Sequence, residues 1–110
     1  MNISIVIPVY NEELNIFDLF KEILDINYKN NSSFEIIFVN DCSIDNSIEI
    51  LNKIKKEYPT LVQLFSNDKN LGQSASIFRG VQMAKNDTIV TLDGDGQNNP
   101  KDIPKLLNKY

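Results

Sequence analysis

Ile3-Ser4-Ile5-Val6-Ile7-Pro8-Val9, followed at once by Tyr10-Asn11-Glu12, is the stretch on which the fold turns. Its first part runs almost without a polar break and is rich in β-branched side chains, whereas a strand with one wet face would alternate. A strand of this kind is buried on both faces, as in a parallel sheet. Residues 34–39 and 88–92 have the same character, and a shorter run lies at 62–65.

Between these runs the apolar residues change to helical spacing. Leu14, Phe17, Phe20 and Leu24 form one stripe, Ile44, Ile48, Leu51 and Ile54 a second, and Ala75, Phe78, Val81 and Ala84 a weaker third. The second helix has Ser43 and Asp45 near its start, where a side-chain oxygen can cap free N–H groups. Lys53, Lys55 and Lys56 stand near its end, where positive charge suits the dipole, and Pro59 stops it. Strands alternating with helices predict a three-layer α/β sandwich with a mostly parallel sheet, because right-handed crossovers place helices on both faces.

A chain of 110 residues holds one core, so residues 1–110 are expected to form one domain. The helix-like pattern after Pro100 has barely begun when the sequence stops, which predicts a fragment of a longer protein. No apolar run is long enough to cross a bilayer, and the start does not read as a signal peptide, so a cytoplasmic location is expected. The net charge of −4, with no basic cluster, speaks against a nucleic-acid partner. The single cysteine, Cys42, has no partner for an internal disulfide. Histidine is absent, which excludes Ser-His-Asp and Cys-His nucleophile systems and every histidine-ligated metal site.

Every strand empties into acids, amides and glycines. They are Pro8-Val9-Tyr10-Asn11-Glu12, Asn40-Asp41-Cys42-Ser43, the run from Ser66 to Gln73, and Asp93-Gly94-Asp95-Gly96-Gln97. In open α/β sheets that edge is where ligands bind. Asp93 and Asp95 stand at i and i+2 with glycines that allow close approach, and carboxylate oxygens suit Mg²⁺ or Mn²⁺. Gln97 adds an amide oxygen at the next alternate position. A glycine-rich turn with two solvated acids has the same sequence, so the pair alone decides nothing. An EF-hand is excluded, since its glycine and glutamate positions hold Asn98 and Pro104. A dinucleotide G-x-G-x-x-G or a P-loop is absent after the first strand. A phosphotransferase of the D-x-D type would carry its acids there too, where Tyr10-Asn11-Glu12 stands.

Taken in order, these pieces resemble the family 2 glycosyltransferases of GT-A fold, in particular the branch of dolichol-phosphate mannosyltransferase and bacterial polyprenyl-phosphate sugar transferases. Residues 5–12, 38–45 and 92–100 carry the resemblance, with Asn70-Leu71-Gly72-Gln73, Ala75 and Gly80. The resemblance implies the Rossmann-like N-terminal half of a nucleotide-diphospho-sugar transferase. It implies a nucleotide site of Pro8, Tyr10, Asn11, Glu12, Asp41, Gly72 and Asp93, with Asp41 toward the base. It implies a metal site of Asp93, Asp95 and Gln97 holding Mg²⁺ or Mn²⁺ against the donor diphosphate. The expected activity is inverting transfer from a nucleotide-diphosphate sugar to an acceptor such as a polyprenyl phosphate, as in cell envelope polysaccharide assembly. The full-length protein would work at the cytoplasmic face of a membrane, and the catalytic base is expected beyond residue 110. The alternative is a catalytically incomplete nucleotide-sugar-binding or partner-docking module. Exposed apolar surface on the fragment would offer a homo-oligomer contact.

The second loop departs from the family, with Asn40 for an acid and Cys42 for a glycine. The second change requires a negative φ at Cys42. Cys42 reads as a small loop residue, with no histidine to activate it as a nucleophile. Arg79 reads as a solvated helix residue or a phosphate contact, and Gly80 as a site of close helix–sheet packing.

Overall fold

The computed structural model describes residues 2–29 and 33–93, with the side chains of 27–29 left aside. Four strands, β1 (Asn2–Val9), β2 (Ser33–Asn40), β3 (Val62–Ser66) and β4 (Thr88–Thr91), alternate with α1 (Ile16–Lys29), α2 (Ser47–Glu57) and α3 (Gln73–Met83). The sheet order is β3-β2-β1-β4, and every neighbouring pair is parallel. The crossovers to β2 and β3 run one way and the crossover to β4 runs back. Right-handed connections therefore put α1 and α2 on one face and α3 on the other. The three-layer expectation holds.

Continuous apolar strands supply both interfaces. Ile3, Ile5, Ile7 and Val9 of β1 join Phe34, Ile36 and Phe38 of β2 beneath α1 and α2. Phe20 sits at the centre, with its ring 6.3 Å from Phe38 and 5.0 Å from Tyr58. The intervening residues Val6, Ile37 and Val39 face α3 in a thinner second core.

The helix faces differ from the expected stripes. The buried side of α1 is Ile16, Leu19, Phe20, Ile23 and Ile26, while Leu14 is 86% exposed and precedes the helix. The segment after β1 is used as a loop, which delays the helix to Ile16 and rotates a second, interleaved apolar stripe inward. Ile44 is likewise 84% exposed because α2 begins only at Ser47. The Asp45 carboxylate accepts from the first helical N–H of α2, at Ser47.

The expected third stripe is turned outward except at its last member, Ala84. Phe78 is 65% exposed, and the residues that meet the sheet are Ser76 and Gly80, with Ala84 packed against the second core. A Cβ added at Gly80 would land on Val6 and press on Val39. Only small residues let the helix lie this close, so the wider apolar side chains are turned outward.

Candidate functional site

The chain moves outward from β1 through β2 to β3, then returns to the far side of β1. Such a reversal leaves a crevice beyond the carboxyl edge, here between β1 and β4. Pairing of β1 with β2 continues to Val9 and Asn40, but pairing with β4 stops at Val6 and Thr91. The Val6 carbonyl accepts from Leu92 N–H at 3.1 Å, so by the two-residue period Pro8 turns the same side toward β4. Proline has no donor to continue that ladder, which among the described residues ends below it.

The loop after β1 is clamped to the loop after β2. Asn11, at φ +52°, donates its N–H to Ser43 Oγ at 3.0 Å, and its Oδ1 accepts from Ile44 N–H at 2.8 Å. Glu12 N–H donates to Ser47 Oγ at 2.9 Å and Glu13 N–H to Asp45 Oδ2 at 3.3 Å. The Glu12 carboxylate accepts from Asn15 Nδ2 at 3.0 Å. Burial raises the Asp45 carboxyl, and hydrogen bonds from Ser47 and Glu13 outweigh it, so its pKa lies below the ordinary carboxylate value. Asn11 and Glu12 are thus fixed to the loop after β2, and Tyr10 is half exposed.

Asp41 organises the next loop. Only 3% exposed, its Oδ1 accepts from Leu71 N–H at 2.7 Å and Asn67 Nδ2 at 2.9 Å, and its Oδ2 from Gly72 N–H at 2.9 Å. Burial works to raise this carboxyl. The hydrogen bonds from Leu71, Asn67 and Gly72 more than offset it and hold the pKa below the usual range. Gly72 stands at φ +95°, in the region glycine favours, and opens α3.

Asn67 is the hub that sequence reasoning missed. Its amide donates to both Asp41 and Ser76 Oγ, its Oδ1 accepts from Arg79 Nη1 at 2.7 Å, and its N–H donates to Asn40 O. Arg79 also donates to Ser66 O at 2.9 Å and lies over the Phe65 ring. It is more than a solvated residue, because Ser66 O and Asn67 Oδ1 both accept from its Nη1. The signal was present in Ser76 and Gly80, small or polar residues at i and i+4 that mark the inward side of α3.

Cys42 keeps φ +58°, so the negative φ expected of it is not adopted. Its backbone follows the left-handed course that glycine would take, while Sγ rests 3.8 Å from Asp68 O. A left-handed non-glycine residue costs about 1–2 kcal/mol, against about 0.5–1 kcal/mol for the extra chain freedom of glycine. Cys42→Gly should therefore raise stability by about 0.5–1 kcal/mol in urea unfolding. A loss of stability would show that the thiol contact outweighs the strain.

Asp93 follows β4 at the carboxyl edge of the sheet, where its Oδ1 accepts from Gln73 Nε2 at 2.6 Å. Its oxygen donors suit a hard cation. Asp95 and Gln97 lie outside the described residues. Among the described residues, no three histidine, cysteine or acidic side chains converge as a metal site. The structure brings Asp41 and Gly72 into direct contact and sets Pro8 at the end of the β1–β4 ladder.

Residues 4–110 match the model of glycosyl transferase family 2. The chain belongs to glycosyl transferase family 2. It is 39% identical over 106 residues to the undecaprenyl-phosphate 4-deoxy-4-formamido-L-arabinose transferase of Pectobacterium atrosepticum, covering 96% of this chain and 32% of that protein. The transferase of the same name from Pseudomonas aeruginosa (strain LESB58) is 36% identical over 107 residues, covering 97% and 32%. This family 2 chain thus spans about a third of the length of the curated relatives it matches.

Two solved structures share its fold. Mannosyltransferase PcManGT from Pyrobaculum calidifontis, in complex with GDP-Man and Mn²⁺, superposes with a TM-score of 0.75 at 20% identity, over 84% of this chain and 27% of that one. S. aureus TarS in complex with UDP gives 0.77 at 21% identity, over 100% and 33%. The GT-A expectation holds for the architecture. No helix among the described residues is long and apolar enough to cross a membrane.

Proposed function

We propose that residues 1–110 are the donor-binding domain of a longer, metal-dependent, inverting glycosyltransferase that moves a sugar from a nucleotide-diphosphate donor to a polyprenyl phosphate. The observation that carries this reading is the reversal of strand order between β1 and β4, with Asp93 just beyond β4 and bonded to Gln73, the residue after the Gly72 that Asp41 holds. The names of the relatives support a lipid-phosphate acceptor. The ligands of the two solved structures support a nucleoside diphosphate and a divalent cation.

In this reading Pro8, Tyr10, Asn11 and Glu12 form one wall of the nucleoside pocket. Asp41 and Gly72 form the other, with Asp41 acting through the loop it holds. Asp93, Asp95 and Gln97 would hold Mg²⁺ or Mn²⁺. That ion, when bound, neutralises charge on the departing nucleoside diphosphate. A lipid phosphate oxygen is already anionic, so the demand on a general base, placed beyond residue 110, is modest.

The test is thermal unfolding with UDP, GDP, CDP or dTDP, each with and without Mn²⁺. A nucleotide at a hundred times its Kd stabilises by about 2.7 kcal/mol, a rise on the order of 10 °C for a domain of this size. The full rise is expected in wild type only with the metal, nucleotide binding being weaker without it, and Asp95→Ala should abolish the metal dependence. Indifference of the wild type to all four nucleotides with Mn²⁺ would sink the reading.

A further inference from the structure

Two parts of the site are joined by a very short path. Asp41, at the end of β2, holds Gly72 N–H at 2.9 Å and Leu71 N–H at 2.7 Å. Gly72 fixes the start of α3. The next residue, Gln73, is the first of the helix, and its amide reaches across the carboxyl edge to Asp93 Oδ1 at 2.6 Å. One peptide unit therefore separates a backbone group held by the β2 loop from a side chain held by the β4 end.

The base of this path is stiff. Asn67, Ser76 and Arg79 lock the loop before Gly72, and Gly80 seats α3 directly on Val6 and Val39. Gln73 itself is on the surface. An exposed amide is not needed to close a core, and surface substitutions away from special features change stability little. A hydrogen bond to a carboxylate is short, strong and directional, so this one constrains the angle at which Asp93 presents its oxygens. Groups that orient a metal-binding carboxylate commonly change metal affinity by about 10–100-fold when removed.

We propose that Gln73 is a positioning residue: it orients Asp93 for the metal-bridged diphosphate and ties that orientation, through Gly72 and Asp41, to the nucleoside loop. The proposal rests on the donor-binding reading and adds to it a residue that acts on Asp93 rather than on substrate. It also gives the nucleoside pocket and the metal site a common support, so that filling one favours the geometry of the other.

Titration calorimetry on the whole chain separates the two ideas. UDP, GDP, CDP and dTDP are titrated without metal and then with Mn²⁺, into wild type, Gln73→Leu and Gln73→Asn. The first variant removes the donor with an apolar side chain one atom shorter, and the second keeps the amide but shortens its reach. Both should bind the preferred nucleotide within about twofold of wild type without metal, and both should lose at least about tenfold of the tightening that Mn²⁺ gives. Ligand-free melting should move by less than about 3 °C.

Undiminished tightening by Mn²⁺ in Gln73→Leu overturns the positioning role while leaving donor binding intact. Equal loss of affinity with and without metal, or a large drop in the ligand-free midpoint, overturns it by making Gln73 a nucleoside or folding residue. If wild type binds no nucleotide more tightly with Mn²⁺, the donor-binding reading fails first, and the proposal with it.

Discussion

Asp41→Ala should lower stability by about 3–4 kcal/mol and shift the thermal midpoint down by more than about 10 °C, the largest single effect expected in this chain. The substitution leaves Leu71 N–H, Gly72 N–H and the Asn67 amide without their acceptor. Asp41 and Asn67 are buried although Leu71 lies at the surface, and each bond to a charged acceptor contributes roughly 1.5–3 kcal/mol before partial rehydration of the donors. The loop carries Gly72 and the start of α3, so nucleotide binding should be lost together with stability. Asp41→Asn retains one acceptor oxygen but not the charge, and its cost should fall to about half. Urea unfolding of the three proteins measures both steps. A cost below about 1 kcal/mol for the alanine variant would mean that water replaces the carboxylate readily.

The same carboxylate gives a pH signature. Its folded pKa lies below its unfolded value, so its contribution is fully present above the ordinary carboxylate range and is lost as pH falls through the folded pKa. Stability should therefore decline on acidification below about pH 5, and less steeply in Asp41→Asn than in wild type.

The sheet was readable because continuous apolar runs report two-sided burial directly, and no competing pattern offers itself. Residues 3–9 and 34–39 sit where their composition puts them, within one residue at each end. Helix faces were harder because two apolar stripes interleave from the loop into α1, one through Leu14 and Phe17 and one through Ile16, Leu19 and Ile23. Periodicity cannot choose between them, since the choice depends on where the loop ends and the helix begins. On α3 the apolar stripe pointed the wrong way because closeness, and not area, governs that contact. The site was legible as a set of strand ends. What stayed hidden was that Asp41 spends its lone pairs on backbone groups brought next to it only by the crossover from β3.

Glu35→Ala should cost about 2–4 kcal/mol, and the reason lies at the edge of the sheet opposite the site. A carboxylate in the middle of an apolar strand is an anomaly in the sequence, and the structure resolves it. Glu35 is buried on the α3 face, directly across from Ser4, whose hydroxyl donates to Oε2 at 2.7 Å. Gln63 Nε2 donates to Oε1, and Lys85 N–H donates to Oε2 at 3.0 Å. Asn86 N–H then donates to Ser4 Oγ at 3.2 Å. Three strands thus grip the turn that leads from α3 into β4, and the register of β4 decides where Asp93 emerges. Burial raises the Glu35 carboxyl, while bonds from Lys85 N–H, Ser4 and Gln63, with the Lys85 charge, bring it below its ordinary value. By the same sign, this stability is present above the usual carboxylate range and disappears in acid. Glu35→Gln keeps an acceptor and should cost about 1–2 kcal/mol at neutral pH, with a flatter stability curve between about pH 5 and pH 3. Parallel curves for the glutamine variant and wild type would show that the charge is not what holds the turn. If the turn does set β4, Glu35→Ala should also weaken Mn²⁺-dependent nucleotide binding from the far end of the sheet, under conditions where the variant remains folded.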